Sequence, residues 1–252
     1  MTFGVLDPRG PASMAGQRAV VTGAARGIGS RIAVELALAG AHVTVLDVRE
    51  PAGTVAEIAQ LGGSATGLQV DITDRSAVAG AMASAAGPDR RLDTLVTCAA
   101  IYGDTIAIDE LSEAEVDLVL GVNVKGTLWC IGGALPFLRG HDSRVVCIGS
   151  VAGKVGGVLA GPHYVASKGG VHAVVKWLAK TEAGNQVLAN AVAPGVVDTP
   201  MVEGKGYPEN YNPLGRLARP EEIARVAAFL ASPAASYLTG AVVDVNGGYA
   251  MG

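Results

Sequence analysis

Tyr164 and Lys168 stand four residues apart in a stretch whose apolar pattern predicts a helix over 164–182. On a helix that spacing puts both side chains on one face, one turn apart. A free phenol has a pKa of about 10, too high for useful proton exchange near neutrality. A neighbouring ammonium stabilises the phenolate and lowers that value towards the range where general acid–base catalysis works best. Tyr-x-x-x-Lys alone is common by chance. Ser150 adds weight, because it directly follows the apolar run VVCIG and so falls at the carboxyl end of a strand, where open α/β sheets bind ligands. His163 precedes the tyrosine and reads either as a helix-entry residue on the pocket rim or as a further proton carrier.

Such side chains need a frame to hold them. Short β-rich runs at 19–22, 42–47, 65–70, 92–98, 145–148, 188–192 and 241–245 alternate with helical patterns at 28–39, 54–60, 76–86, 113–137, 164–182 and 221–230. Several strand runs are continuously apolar, as expected when both faces of a parallel sheet are covered. The order implies right-handed βαβ units and one doubly wound, Rossmann-type α/β domain of about seven strands with helices on both faces. Residues 1–16 read as a flexible extension and 17–252 as the domain. Two segments break the alternation: the Gly-rich 153–161 and the irregular 199–217, which suits a binding loop or lid.

The first strand runs into Thr-Gly-Ala-Ala-Arg-Gly-Ile-Gly at 22–29, and a helix follows. Gly23, Gly27 and Gly29 let the turn close and let backbone approach a pyrophosphate. The helix N-terminus beyond them, with Arg26 and Ile28, offers N–H groups and partial positive charge to phosphates. Asp47 ends the second strand, 18 residues after Gly29, where an acidic residue would grip the adenosine ribose diol. Asp71, with Ile72 beside it, ends the third strand. It can accept from the adenine amino group, cap the following helix, or both.

Taken together, TGAARGIG, Asn123 in NVKG, Ser150, Tyr164 with Lys168, PGVVDTPM at 194–201 and the terminal LTGAVVDVNGGY resemble the short-chain dehydrogenase/reductase family, in its single-domain branch, from about Gln17 onward. The resemblance implies a tetrad. Tyr164 would exchange the proton, and Lys168 would lower its pKa while holding the nicotinamide ribose. Ser150 would orient the substrate oxygen, and Asn123 would bend its helix and anchor a water in a relay through Lys168. Pro194, Gly195, Val197 and Thr199 would surround the nicotinamide. The chain departs from the family at Thr97-Cys98-Ala99-Ala100, which replaces the usual Asn-Asn-Ala-Gly. The backbone role of Cys98, Ala99 and Ala100 beside the ribose can survive, but the missing Asn side-chain bonds cannot. Tyr164 also follows Ser150 by 14 positions rather than the commoner 13.

The expected reaction is reversible hydride transfer between NAD and a secondary alcohol or ketone, with NADP disfavoured by Asp47. The pocket candidates Tyr102, Val151, Gly156, Leu159, Met201, Tyr207 and Tyr211 are largely apolar or phenolic and suit a hydrophobic alicyclic or aryl ketone. Tyr207 and Tyr211 share the irregular loop and read as a substrate lid or as ordinary loop packing. The rivals are a 3-oxoacyl-thioester reductase, which the sequence also resembles, and a catalytically silent dinucleotide sensor.

Composition bounds the partners. A net charge of −4 without a basic tract argues against nucleic acid and anionic membranes. Half of the 252 residues are hydrophobic, mean hydropathy is +0.37, and no run approaches 18 consecutive apolar residues. That excess points to subunit interfaces, and a homotetramer is expected. Cys98, Cys130 and Cys147 sit in apolar surroundings and read as reduced thiols in a cytoplasmic protein. His42, His141 and His172 are scattered, so no metal site is expected.

Overall fold

A computed structural model describes residues 10, 12–157 and 159–251. Its centre is a seven-stranded, wholly parallel sheet: β1 (Arg18–Thr22), β2 (His42–Asp47), β3 (Ser64–Gln69), β4 (Thr94–Thr97), β5 (Ser143–Ile148), β6 (Val187–Pro194) and β7 (Val242–Val245). The order β3-β2-β1-β4-β5-β6-β7 reverses between β1 and β4. Chain leaves the sheet in opposite directions there, which opens a crevice beyond the carboxyl ends of the strands.

The helices are α1 (Gly27–Leu38), α2 (Ala52–Gln60), α3 (Arg75–Ala86), α4 (Glu113–Leu120), α5 (Thr127–Leu138), α6 (Ala152–Val155), α7 (Pro162–Glu182) and α8 (Pro220–Ala231). Strand residues alternate between two cores, which is why the strands read as unbroken apolar runs. Val21, Val43, Val96, Val146 and Ile148 pack with α1, α2 and α8. Val20, Leu95, Val145, Cys147 and Ala191 pack on the other face with α3, α5 and α7. At roughly 25 cal/mol per Å² of apolar surface removed from water, these two layers dominate the stabilising side of folding.

The elements fall where the pattern puts them, with three differences. The expected single helix 113–137 is interrupted by a π-helical segment, Gly121–Gly126, centred on Asn123. The whole span Glu113–Leu138 has the length and composition of a membrane-crossing helix, but it buries Cys130, Ile131, Ala134 and Phe137 beneath the sheet as a core helix does. Second, the short α6 forms within the Gly-rich stretch. Its Gly153 lies so close to α7 that a Cβ would stand 2.6 Å from the Lys168 carbonyl carbon. Third, the boundary at Gln17 is late. Met14 is fully buried against the α1 side of the sheet, and its N–H donates to the Ala39 carbonyl at 2.8 Å. The rest of the proposed extension, residues 1–9 and 11, lies outside the described residues.

Candidate active site in the cleft above β1 and β4

One cleft of about 420 Å³ runs along the carboxyl edge. At its dinucleotide end the glycine-rich turn is a close approach of backbone to backbone. A Cβ on Gly23, which has a φ of +65°, would sit 2.5 Å from the Ala99 Cα, and one on Gly29 would sit 2.2 Å from the Gly23 carbonyl oxygen. No side chain caps α1 and no acidic residue occupies its first turn, so its first N–H groups remain open to an anion. The Asp47 carboxylate is almost fully buried and is held by two amides, accepting from Ala25 N–H at 3.0 Å and Arg49 N–H at 2.9 Å. Arg26 and Arg49 line the same end. Asp71 accepts from the Thr73 amide and hydroxyl, both at 2.8 Å, and does not cap α3; Asp74 does, accepting from Ser76 and Ala77. An uncapped helix, a cradle that any Cβ would fill and an oriented carboxylate are what a bound dinucleotide requires.

The departure at residues 97–100 is compensated in part. The Thr22 hydroxyl accepts from the amides of Cys98 at 3.1 Å and Ala99 at 3.2 Å, fixing that turn without the usual Asn. The Thr97 hydroxyl is buried beside the Cys147 thiol. Burial pushes the Cys98 thiol up to about 12, so it is no nucleophile. Every residue expected at the dinucleotide lines the cleft, from Gly23 through Ile72, Ala100 and Pro194 to Thr199.

At the other end Ser150, Tyr164 and Lys168 line the wall together. Val151 N–H donates to the Pro194 carbonyl at 2.9 Å, which continues the β5–β6 pairing past the strand and places Ser150 beside the 194–199 turn. The Ser150 hydroxyl accepts from Ala152 N–H at 3.1 Å, leaving its own proton to donate. Burial pushes the Tyr164 phenol up to about 12, with a hydrogen bond to Ser150 pulling the other way. Burial lowers Lys168 to about 8. Its ammonium lies 5.6 Å from the Tyr164 ring centroid and donates to the Ile148 carbonyl at 3.0 Å. Desolvation thus outweighs the Ser150 hydrogen bond, and the phenol stands as a neutral acid.

Asn123 does not line the cleft. Its amide pairs with both backbone groups of Ile101, at 2.9 Å each, and donates to Ser167 Oγ at 3.0 Å. It therefore pins the loop after β4, including Tyr102, to α7. His163 is not a rim residue either. Its side chain is wholly buried between Gly103 and Gly161, with Nε2 3.4 Å from Glu115 Oε1. Sequence reasoning gave His172 no role, yet its Nε2 accepts from the Ser150 N–H at 3.4 Å, and a Cβ on Gly149 would meet that nitrogen at 2.1 Å. Burial, then Lys168, holds this imidazole down to about 4 and therefore neutral. The signal was legible: His172 lies one further turn along the Tyr164–Lys168 face.

Of the pocket candidates, Tyr102, Val151, Gly156, Met201, Tyr207 and Tyr211 line the cleft. Leu159 does not. Its carbonyl instead accepts from the Thr105 hydroxyl at 2.8 Å, and Ala160 faces the cleft. Tyr249, unforeseen, stacks on Tyr211 at 5.2 Å. Segment 199–217 contains no regular element and is tied across the cleft by Tyr207 to Tyr102 and by Lys205 to the Gly103 carbonyl at 2.9 Å.

Known proteins agree with this architecture. A family profile described as enoyl-(acyl carrier protein) reductase matches residues 23–250. Cis-4-hydroxycyclohexanecarboxylate dehydrogenase of Sinomonas cyclohexanicum is 39% identical, with 92% of this chain and 95% of that protein covered. The 3-oxoacyl-[acyl-carrier-protein] reductase FabG of Staphylococcus aureus is 36% identical over 92% and 98%. A short-chain type dehydrogenase/reductase from Mycobacterium marinum superposes with a TM-score of 0.91 at 31% identity, covering 99% of this chain and 100% of that one. Similar folds have been solved with either dinucleotide. An Agrobacterium tumefaciens putative 2-deoxy-D-gluconate 3-dehydrogenase holds NADP (TM-score 0.86, 36% identity, 96% and 99% covered), and a Brucella melitensis 3-oxoacyl-[acyl-carrier protein] reductase holds NAD (0.87, 32%, 96% and 94%). Fold, cleft and matched span lead to one conclusion: the chain belongs to the short-chain dehydrogenase/reductase family, oxidoreductases that act on hydroxyl and ketone groups.

Proposed function

We propose that the chain is an NAD-dependent dehydrogenase and ketone reductase for hydrophobic alicyclic or aryl secondary alcohols and ketones. The observation that carries this reading is the single cleft in which Ser150, Tyr164 and Lys168 meet the dinucleotide cradle and the Asp47 carboxylate. When bound, the dinucleotide supplies or removes the hydride. Ser150 donates to the substrate oxygen and orients it. Tyr164, a neutral phenol, gives the proton during ketone reduction and takes it back during alcohol oxidation. Lys168 holds the nicotinamide ribose, and Asn123 acts through the loop it pins. Asp47 supports NAD, because its carboxylate stands where a 2′-phosphate would bring negative charge. The substrate end supports a ring: apart from Tyr164 it is lined by Tyr102, Tyr207, Tyr211, Met201, Val151 and Ala160.

A second reading, a 3-oxoacyl-thioester reductase, is favoured by the likeness to FabG over nearly the whole chain. An NADH- and NADPH-coupled screen of cyclic ketones against acetoacetyl thioesters tests both readings. Preference for the thioesters would overturn the first, and no turnover of anything would return the chain to a silent binding protein. The exposed Leu118, Leu128 and Trp177 on α4, α5 and α7 support a homotetramer. Three free cysteines support a reducing, cytoplasmic setting.

A further inference from the structure

Five of the six tyrosines line the cleft: Tyr102, Tyr164, Tyr207, Tyr211 and Tyr249. Two of them form a tight pair, with the Tyr102 and Tyr207 hydroxyl oxygens 2.5 Å apart. Burial pushes both phenols up, so each keeps its proton throughout the working range. Two neutral phenols carry two O–H donors. One is spent between them, whichever oxygen donates, and the other remains for a ligand. The pair is well placed for one, since the Tyr102 ring lies against the Tyr164 ring with centroids 4.7 Å apart and planes tilted by 30°. A group bonded to the pair therefore sits on the side of the cleft that holds the Tyr164 ring.

The surroundings restrict what that group can be. Ala152, Ala160, Met201 and the Tyr164 ring pack around the pair, so an unused donor there carries a desolvation cost that a matching acceptor relieves. The acceptor is uncharged. Arg26, Asp47, Arg49 and Asp71 belong to the dinucleotide end, and the Lys168 ammonium is engaged with Ile148. Lys205 lies over the Tyr102 ring at 5.4 Å, but it does not line the cleft, and it donates to Gly103 and faces Asp104 at 3.7 Å. Both ammoniums keep their charge but donate to backbone carbonyls rather than towards the pair, so an anion there would enter an apolar site without a direct counter-ion.

We propose that Tyr102 and Tyr207 jointly bind a second, uncharged oxygen of the substrate, so that the preferred substrates are cyclic ketones or alcohols bearing a further hydroxyl or carbonyl. This rests on the reading of the chain as an alcohol–ketone oxidoreductase. It is tested by comparing cyclohexanone with 3- and 4-hydroxycyclohexanone, cyclohexane-1,4-dione and the charged 4-oxocyclohexanecarboxylate, in the unmodified enzyme, in Tyr207→Phe and Tyr102→Phe, and in the double variant that carries both changes. The unmodified enzyme should favour at least one of the neutral two-oxygen ketones over cyclohexanone by about tenfold in kcat/KM, mainly through KM. The double variant should reduce that ratio to about twofold, whereas either single Phe variant still leaves one O–H donor at the pair and should retain part of the preference. Calorimetric dissociation constants of the preferred compound for the NAD-loaded enzyme should weaken by about the same factor. A ratio unchanged in the double variant would overturn the proposal, as would a preference for the carboxylate over every neutral compound. Absence of turnover with all ketones and both dinucleotides would sink the oxidoreductase reading itself, a result distinguishable from an unchanged ratio.

Discussion

Replacing Asp47 with alanine removes a carboxylate that already has two acceptor sites filled, one by Ala25 N–H and one by Arg49 N–H. A carboxylate offers about four such sites. Two remain, the number needed by the two hydroxyls of an adenosine ribose. Hydrogen bonds to charged groups contribute roughly 1.5–3 kcal/mol each. NADP loses one of those bonds to its 2′-phosphate and adds charge repulsion, so about 3 kcal/mol of discrimination, or somewhat over 100-fold, is the scale at 1.4 kcal/mol per factor of ten. Arg26 and Arg49 line the same end and can approach the phosphate, which lowers the expectation to at least a tenfold preference for NAD in kcat/KM. Asp47→Ala should weaken NADH binding by a similar factor and bring the NAD/NADP ratio near unity. Asp47→Asn keeps an acceptor for only one of the two amides and turns its NH2 towards the other, so NADH binding and melting temperature are measured together for both variants. The assay is steady-state kinetics with each dinucleotide at saturating ketone, with NADH dissociation constants from fluorescence. Equal use of NADPH and NADH by the unmodified enzyme would refute the reasoning, as would an Asp47→Ala ratio that does not move.

Tyr164→Phe should lower kcat by about 100-fold or more while NADH binding and melting temperature hold, since a positioned acid–base group contributes on that scale; near-normal turnover would remove Tyr164 from the mechanism. Gly29→Ala should abolish tight NADH binding and lower the melting temperature, because its Cβ would meet the Gly23 carbonyl oxygen at 2.2 Å. Gly80→Ala, which faces open space on α3, should do neither. His172 contributes to acid stability. Above pH 6.5 the imidazole is neutral folded and unfolded; between 6.5 and about 4 only the unfolded chain takes the proton, so stability is lost as pH falls. At 1.36 kcal/mol per unit the ceiling is about 3.4 kcal/mol, and a discount for solvent screening halves it to ~1.7 kcal/mol. Melting curves from pH 7 to 4 should therefore fall several degrees further for the unmodified protein than for His172→Gln, and parallel curves would count against the buried neutral imidazole. Light scattering at micromolar concentration should return a tetramer, and a monodisperse monomer would leave the apolar face of α4, α5 and α7 unexplained.

Local periodicity was enough to specify the sheet and its helices, because the central strands face two apolar layers and the helices one. The chemistry at short separation was equally legible. Tyr164 and Lys168 share a face through helical geometry alone, and the turn at 22–29 declares itself by glycines that only a close backbone approach requires. The tertiary structure decided what depends on distant partners. Tyr102 meets Tyr207 across 105 positions, and Asn123 spends its amide on Ile101. His163 is locked beneath a loop and Leu159 turns away from the cleft, although both neighbour functional residues in the chain. The proton affinities show the same division most sharply. A lysine one turn from a tyrosine predicts a lowered phenol, but desolvation depends on everything that covers the ring, and here it raises Tyr164 instead. Spacing sets which groups can interact; the enclosing fold sets the dielectric in which they do so, and with it the sign of the result.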